Sequence, residues 1–162
     1  MASALNLYVR SGPEVDVAAV RRALPPVTGG DWRVKVTGGG KLLAVDLRRR
    51  AETDEELIEL AQGLSLELGA EVLLLAFASA NDSVVYSHLT RGKTTRHIRT
   101  SEYACIAAAG EPEPWERSFL AAAAPGRRLK GISEGMDAEL DAKDLSWAIA
   151  AHFDLDLHVF RA

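Results

Sequence analysis

The hydrophobic pattern of the first 78 residues switches repeatedly between the two-residue period of strands and the longer period of helices. In chain order it predicts a strand, a helix, a hairpin, a second helix and a buried strand, at residues 5–10, 12–24, 32–47, 54–68 and 72–78. This is the β-α-β-β-α-β order of ferredoxin-like folds. We therefore expect an α+β protein whose antiparallel sheet carries its helices on one face.

Local residues mark where several of these elements begin and end. Ser11 with Glu14, and Thr53 with Glu56, have the spacing of capping boxes at helix N-termini. Gly69 is placed to end the second helix. The glycines at 38–40 followed by a lysine look like part of a phosphate-binding loop, but that motif requires a helix to follow. The next run reads as a strand, so we interpret the glycines as a hairpin turn.

The remaining residues predict a hairpin extension followed by a helical C-terminal third. Two strands at 83–90 and 93–99 flank an Arg-Gly turn, and one more strand is expected at 103–109. Helices are expected at 115–124 and 141–153, with a short strand at 155–159. Since a domain averages about 150 residues, we predict a single domain over 1–162. The sheet and two helices occupy 1–109, and a helical C-terminal extension occupies 110–162.

Composition and charge exclude several classes of protein. The lone cysteine, Cys105, excludes an internal disulfide and a four-cysteine zinc site. Its apolar neighbours favour a buried, unreactive thiol, which agrees with a cytoplasmic location. The N-terminus does not resemble a secretory signal, and the longest apolar runs are too short to span a membrane. The net charge of −4 gives no reason to expect general affinity for nucleic acid or anionic membranes.

Charged residues are unevenly distributed along the chain. Residues 51–71 contain seven acids and no Lys or Arg, residues 134–156 contain seven acids and one lysine, and residues 83–101 contain four basic residues and no acid. Acidic helix faces are usually only solvated. Leu66, however, falls opposite the apolar stripe of its helix. It would either anchor a partner or be covered by the C-terminal third. The predicted partner-binding residues are Glu55, Glu56, Glu59, Gln62 and Leu66.

Two histidines in the second hairpin are the best candidates for a polar site. A two-residue turn would place Tyr86 opposite His97, and His88 and His97 as diagonal neighbours on one face. Two imidazoles do not suffice for a zinc site, which normally has at least three protein ligands. We therefore predict no metal site, no cofactor and no catalytic residue, and we interpret this polar face as solvated.

The stretch from Glu56 to Trp115 carries a resemblance. It contains a leucine-rich helix, the sequence Leu-Gly-Ala-Glu-Val at 68–72, the Tyr86–His88 hairpin, and Gly-Glu-Pro-Glu-Pro-Trp-Glu at 110–116. It resembles small uncharacterised bacterial cytoplasmic proteins, some of which look like immunity proteins of toxin–immunity loci. The resemblance implies a small protein that neutralises a partner, and it transfers no site residues.

The leading hypothesis is therefore a non-enzymatic, cytoplasmic protein-binding domain. In its specific form the chain is a bacterial immunity protein that blocks the active site of a cognate toxin, with no membrane partner. One alternative is a small enzyme or ligand-binding protein that uses the polar face around Tyr86, His88 and His97. Another is nucleic-acid binding through the basic hairpin, which is less favoured because stacking platforms usually offer more than one aromatic residue. The basic side chains concerned are Arg91, Lys93, Arg96 and Arg99.

Overall fold

A computed structural model describes residues 3–27, 30–48, 53–136 and 140–161. The strands are β1 (Ser3–Arg10), β2 (Val34–Thr37), β3 (Leu42–Asp46), β4 (Glu71–Ala78), β5 (Ser83–Thr90), β6 (Lys93–Ser101) and β7 (Ala104–Gly110). The helices are α1 (Val17–Ala23), α2 (Asp54–Leu68), α3 (Pro114–Ala123) and α4 (Ala142–Phe153). In these parts of the chain, no helix is both long enough and apolar enough to cross a bilayer.

The strands form one sheet in the order β2-β3-β1-β4-β5-β6-β7, and every neighbouring pair is antiparallel. The predicted α+β class with an antiparallel sheet is confirmed. β4 lies at the centre, and its residues from Val72 to Leu75 are buried. An uninterrupted apolar run is what a strand covered on both faces requires.

The expectation that all helices lie on one face of the sheet is wrong. α1 and α2 cover the face that presents Leu7 and Leu74. α3 and α4 cover the opposite face, which presents Tyr8 and Leu75. Successive side chains of β4 point to opposite faces, and those from Val72 to Ala78 are all apolar, so both faces must be covered. The C-terminal part of the chain supplies the second layer.

The helix ends follow the predicted caps in one case and depart from them in another. At α2 the capping box is confirmed, with Glu56 N donating to Thr53 Oγ1 (3.3 Å) and Thr53 N to Glu56 Oε2 (2.9 Å). The predicted cap at Ser11 is wrong, since α1 begins after Asp16, whose carboxylate accepts from Ala19 N at 2.8 Å. Ser11 instead donates its hydroxyl to the carbonyl of Gly40.

The predicted C-terminal strand is also wrong. Residues 155 and 156 have no regular structure and residues 157–160 form turns, although Leu155 and Leu157 are buried against the sheet as their alternation suggested. The carbonyl of Asp156 accepts a hydrogen bond from the Tyr8 hydroxyl (2.9 Å). The backbone carbonyl of Asp156 is therefore hydrogen-bonded to a side chain rather than to a neighbouring strand. The alternating pattern at 155–159 arises because Leu155 and Leu157 insert into the core.

Candidate functional site

A β-bulge decides which side chains of the β5–β6 hairpin meet. Thr90 pairs with Lys93 as predicted, but the register shifts beyond it, so that His88 lies opposite Arg96 and Ser87 opposite His97. Thr95 occupies the shift and donates its hydroxyl to the carbonyl of His88 (3.1 Å). A shift of one residue moves side chains to the other face of a sheet.

The predicted shared face of Tyr86, His88 and His97 is therefore wrong. Tyr86 and His88 point towards α3 and α4, whereas His97 lies on the α2 side. There His97 Nδ1 is 2.7 Å from the Ser87 hydroxyl. Burial and the nearby guanidinium of Arg99 lower the pKa of His97. Residue types at the turn do not reveal a bulge several positions away, so the sequence could not separate the two histidines.

Glu113 is the centre of a polar cluster on the α3–α4 side. It is the N-cap residue of α3, and its carboxylate accepts hydrogen bonds from the Tyr86 hydroxyl and from His88 Nδ1. The indole of Trp115 donates to the same carboxylate (3.2 Å) and packs edge-on against the Tyr86 ring. Burial and this carboxylate raise the pKa of Tyr86 far above its usual value. The phenol therefore stays protonated and donates its hydrogen to Glu113.

His88 is held between two carboxylates. Its Nε2 donates to Glu71 Oε1 (3.0 Å), and Arg10 Nε donates to the other oxygen of Glu71 (2.9 Å). Burial alone would lower the pKa of His88, but hydrogen bonds to Glu113 and Glu71 outweigh it and raise the pKa to about 9. The bond from His88, together with Arg10, lowers the pKa of Glu71 to about 2. The imidazolium has both N–H groups engaged, so it has no free ring nitrogen with which to accept a proton from a substrate.

This cluster makes the stability of the protein depend on pH. An unfolded histidine has a pKa near 6.5. The stabilising contribution of His88 is therefore complete below about pH 6.5 and is lost as the pH rises through 9. We expect the free energy of unfolding in urea to fall by about 2–3 kcal/mol between pH 6 and pH 10 on account of this residue. The His88→Gln variant should lack that part of the decline, and equal declines in the two proteins would contradict the assignment.

Arg96 and Glu116 form a second, fully buried contact between the hairpin and α3. The two side chains are 3% and 0% exposed. Arg96 Nε and Nη2 donate to the two carboxylate oxygens at 2.9 and 2.5 Å. The guanidinium also donates to the carbonyls of Gly110 (3.1 Å) and Ile132 (2.6 Å). A buried pair of charges is tolerated only with such complete hydrogen bonding.

The segment Glu113–Glu116 thus attaches the C-terminal part of the chain to the sheet. Its two glutamates bind His88 and Arg96, which face each other across β5 and β6. Hereafter we call this set of four residues the glutamate clasp. Glu113–Glu116 lies within the stretch that carries the resemblance, but its partners His88 and Arg96 were not predicted. The only available signal was that two acids on the connector match two basic side chains on the preceding hairpin.

The predicted partner-binding residues lie along one side of α2. Glu55 Oε1 is 3.7 Å from Arg99 Nη1, and the neighbouring Asp54 is 3.3 Å from Arg99 Nη2. The Glu56 side chain closes the capping box. Gln62 donates to the Thr94 hydroxyl (3.3 Å), and Glu59 is exposed. The five residues Glu55, Glu56, Glu59, Gln62 and Leu66 are called the α2 surface below.

None of the C-terminal residues that the structure describes covers Leu66. It is 67% exposed, and α3 and α4 lie on the opposite side of the sheet. Its neighbour is the turn of the β5–β6 hairpin, where a Cβ added to Gly92 would come within 3.0 Å of Leu66 Cβ. The alternative in which the C-terminal third covers Leu66 is therefore wrong, and the role of Leu66 as a partner contact stays a prediction.

The basic hairpin does not form a separate positive surface. Arg96 is in the core, and Arg99 pairs with acids at the start of α2. Arg91 and Lys93 are the members of the predicted nucleic-acid set that are exposed. The acidic and basic segments of the sequence are therefore partly neutralised in the folded protein, because β6 lies beside α2 and Arg99 pairs with its acids.

Other potentially reactive groups in the structure are engaged or isolated. Cys105 is buried, which raises the pKa of its thiol, and Sγ donates to the Ala107 carbonyl (3.3 Å). Across residues 3–27, 30–48, 53–136 and 140–161, no three His, Cys, Asp or Glu side chains are grouped so as to hold a metal ion.

Comparison with known proteins identifies a family. A model of a family of unknown function, DUF6928, matches residues 44–153, which include the α2 surface and all four residues of the clasp. A search of curated proteins and a search of solved structures each found nothing similar. Because the family model spans more than half of the sequence, the chain belongs to the DUF6928 family.

Proposed function

We propose that this chain is a non-enzymatic protein-binding domain that uses the α2 surface. The observation that carries the proposal is the exposure of Leu66, at 67%, on an otherwise polar and acidic helix face. A single exposed leucine is ordinary in itself. Leu66 lies on the same side of α2 as Glu55 and Glu59 and beside the exposed turn of the β5–β6 hairpin. An apolar residue surrounded by polar ones is the arrangement found in protein interfaces.

The shape of α2 supports a contact with a side chain of the partner. Glu59, Gly63 and Leu66 lie on one side of the helix, since residues three and four apart are neighbours. Gly63 is exposed, and a Cβ added there would meet no atom within 4 Å. The glycine therefore leaves a shallow gap between a carboxylate and an apolar side chain, which suits a long basic residue with an apolar stem.

Charge supports a basic partner. Glu56 and Glu59 are exposed acids, and Glu67 adds a third beside Leu66. Complementary charge accelerates association and disfavours wrong partners more than it raises affinity. In its specific form, the proposal is that the chain acts as a bacterial immunity protein whose acidic helix blocks a basic active-site cleft of a toxin.

The clasp supports a non-enzymatic role. Both ring nitrogens of His88 are hydrogen-bonded to carboxylates, and the Tyr86 hydroxyl is hydrogen-bonded to Glu113. General acid–base catalysis requires a group that can exchange a proton with substrate. In this arrangement the polar groups connect α3 to the sheet. His97, which the enzyme alternative also requires, lies on the other face.

The finer description of the fold belongs to the same proposal. The neighbour order β2-β3-β1-β4 supports a ferredoxin-like unit that β5–β7 extend, and α3 and α4 support a helical C-terminal third over 110–162. Both helix layers pack on one sheet, which supports a single domain. The lone thiol supports a cytoplasmic location.

Comparative capture from the native host tests the function. We choose the double variant Glu59→Lys with Leu66→Asp, because neither side chain takes part in the capping box or in the ion pairs with Arg99. A protein captured by the original chain should be lost with this variant. Its affinity should fall at least about 100-fold, as expected when a central contact residue is removed.

The matched control is the double variant Glu14→Lys with Val36→Asp. It makes the same kinds of change at exposed positions in the β1–α1 connection and on β2. Circular dichroism should show that both variants remain folded. The assignment fails if the captured proteins are the same for the α2 variant and the original chain, or if the control loses them equally.

A further inference from the structure

A small cavity lies on the opposite side of the molecule from the α2 surface. Its volume is about 180 Å³, and it is enclosed by the start of β1, Phe77 at the end of β4, α4 and the C-terminal turns. Cavities of about 150 Å³ can hold a benzene-sized molecule. The space therefore suits a ligand with one ring or a short branched chain.

The walls of this cavity combine apolar and aromatic surface. Phe77 and Leu157 contribute apolar side chains. Trp147 contributes an indole that is 48% exposed, in contrast to the buried Trp32 and Trp115. The His158 ring packs edge-on against Trp147, with centroids 5.7 Å apart. Large exposed aromatic residues beside a cavity are typical of binding sites.

Two cations give the cavity its polar character. Lys143, one helical turn before Trp147, and Arg161 both line it. Neither forms a salt bridge with any residue in the described ranges. His158 Nδ1 is buried and has no hydrogen-bond partner there. A buried polar atom normally has a partner from protein, water or ligand.

No carboxylate of the described residues lines the cavity beside these cations. Asp141 does not line the cavity; it caps the helix, where its carboxylate accepts from Asp144 N (3.0 Å). The cavity therefore combines a positive rim with apolar walls. A carboxylate suits Lys143 and Arg161 because charge-assisted hydrogen bonds are the stronger kind, and a ring suits Trp147 and Phe77.

We propose that this cavity binds a small aromatic carboxylate, with the carboxylate at Lys143 and Arg161 and the ring against Trp147. The inference is independent of the protein-binding role, since the two surfaces share no residue. Binding needs no covalent step. The ligand would fill the cavity and stabilise the contact between α4 and the C-terminal turns.

Titration with benzoate tests the proposal, and binding is measured by tryptophan fluorescence and by calorimetry. We expect saturable binding with a dissociation constant below about 1 mM, which is within the efficiency limits of a ligand of this size. The neutral isostere benzamide and the ring-free anions acetate and phosphate should bind at least 10-fold more weakly. Equal binding of benzamide or phosphate, or the absence of saturation at 10 mM benzoate, would overturn the proposal.

Surface variants localise the effect without endangering the fold. Arg161→Gln and Lys143→Gln should each weaken benzoate binding about 10-fold and reduce its advantage over benzamide, and Trp147→Ala should weaken both ligands. Lys41→Gln removes an exposed cation from the β2–β3 hairpin and should leave binding unchanged. If the Lys143, Arg161 and Trp147 variants bind benzoate as the original chain does, the cavity is not the site.

Discussion

Replacing Arg96 by methionine should destabilise the protein by about 3–5 kcal/mol, the usual cost of breaking a buried ion pair on one side. The methionine retains the apolar stem but leaves the Glu116 carboxylate without its cation in a fully buried position. Domains of this kind are stable by about 5–15 kcal/mol, so the loss is a large part of the total. Urea unfolding followed by circular dichroism measures it.

A double-mutant cycle shows whether the loss comes from the pair itself. In the original protein Ile132 N donates to Glu116 Oε1 (2.8 Å). The Glu116→Gln variant keeps a side-chain oxygen that can accept this hydrogen bond. The double variant should be less destabilised than the sum of the single variants by about 2 kcal/mol. Arg99→Met is the matched control, since Arg99 forms partly exposed pairs that are worth about 1 kcal/mol or less. A cost for Arg96→Met no greater than that of the control would refute the structural role of the clasp.

Gly110→Ala should cost more than about 3 kcal/mol, because backbone strain and a steric clash act together. Gly110 ends β7 with φ of +87°, a conformation that residues with a Cβ rarely adopt. A Cβ there would lie 2.1 Å from the Thr95 carbonyl oxygen and 3.1 Å from Arg96 Cα. The clash is with the backbone of β6 beside the bulge, so a side-chain rotation cannot relieve it.

Gly126→Ala separates the two causes. Gly126 has φ of +88°, but a Cβ there would meet no atom within 4 Å. It should therefore cost only about 1 kcal/mol, the penalty of a left-handed conformation. Thermal and urea unfolding of the two variants give the comparison. Similar losses for both would mean that the close approach of β7 to β6 contributes little.

The elements that could be predicted from the sequence are those whose pattern is local. The Thr53 capping box and the Gly69 cap that follows α2 could be predicted from residues within the helix and at its ends. The central position of β4 follows from its uninterrupted apolar run. The same run requires a helical layer on each face of the sheet. The prediction that all helices lie on one face did not take this into account.

The elements that could not be predicted depend on register or on distant contacts. The bulge at Thr95 separates His88 from His97 and brings Arg96 to the side of Glu116, yet the turn sequence fits a regular hairpin as well. The buried role of Arg96 follows from Glu116, 20 residues away. Leu66, in contrast, was placed correctly opposite the apolar stripe from helical spacing alone, although that spacing could not show whether another part of the chain covers it.

Amide hydrogen exchange of the chain with and without its captured partner tests the central claim most directly, because it needs no substitution. We expect slower exchange at the α2 surface and at the adjoining turn, residues 91–94, with β2 and α4 unchanged. Slower exchange at β2 or α4, with α2 and the turn unaffected, would contradict the assignment of the α2 surface as the binding site.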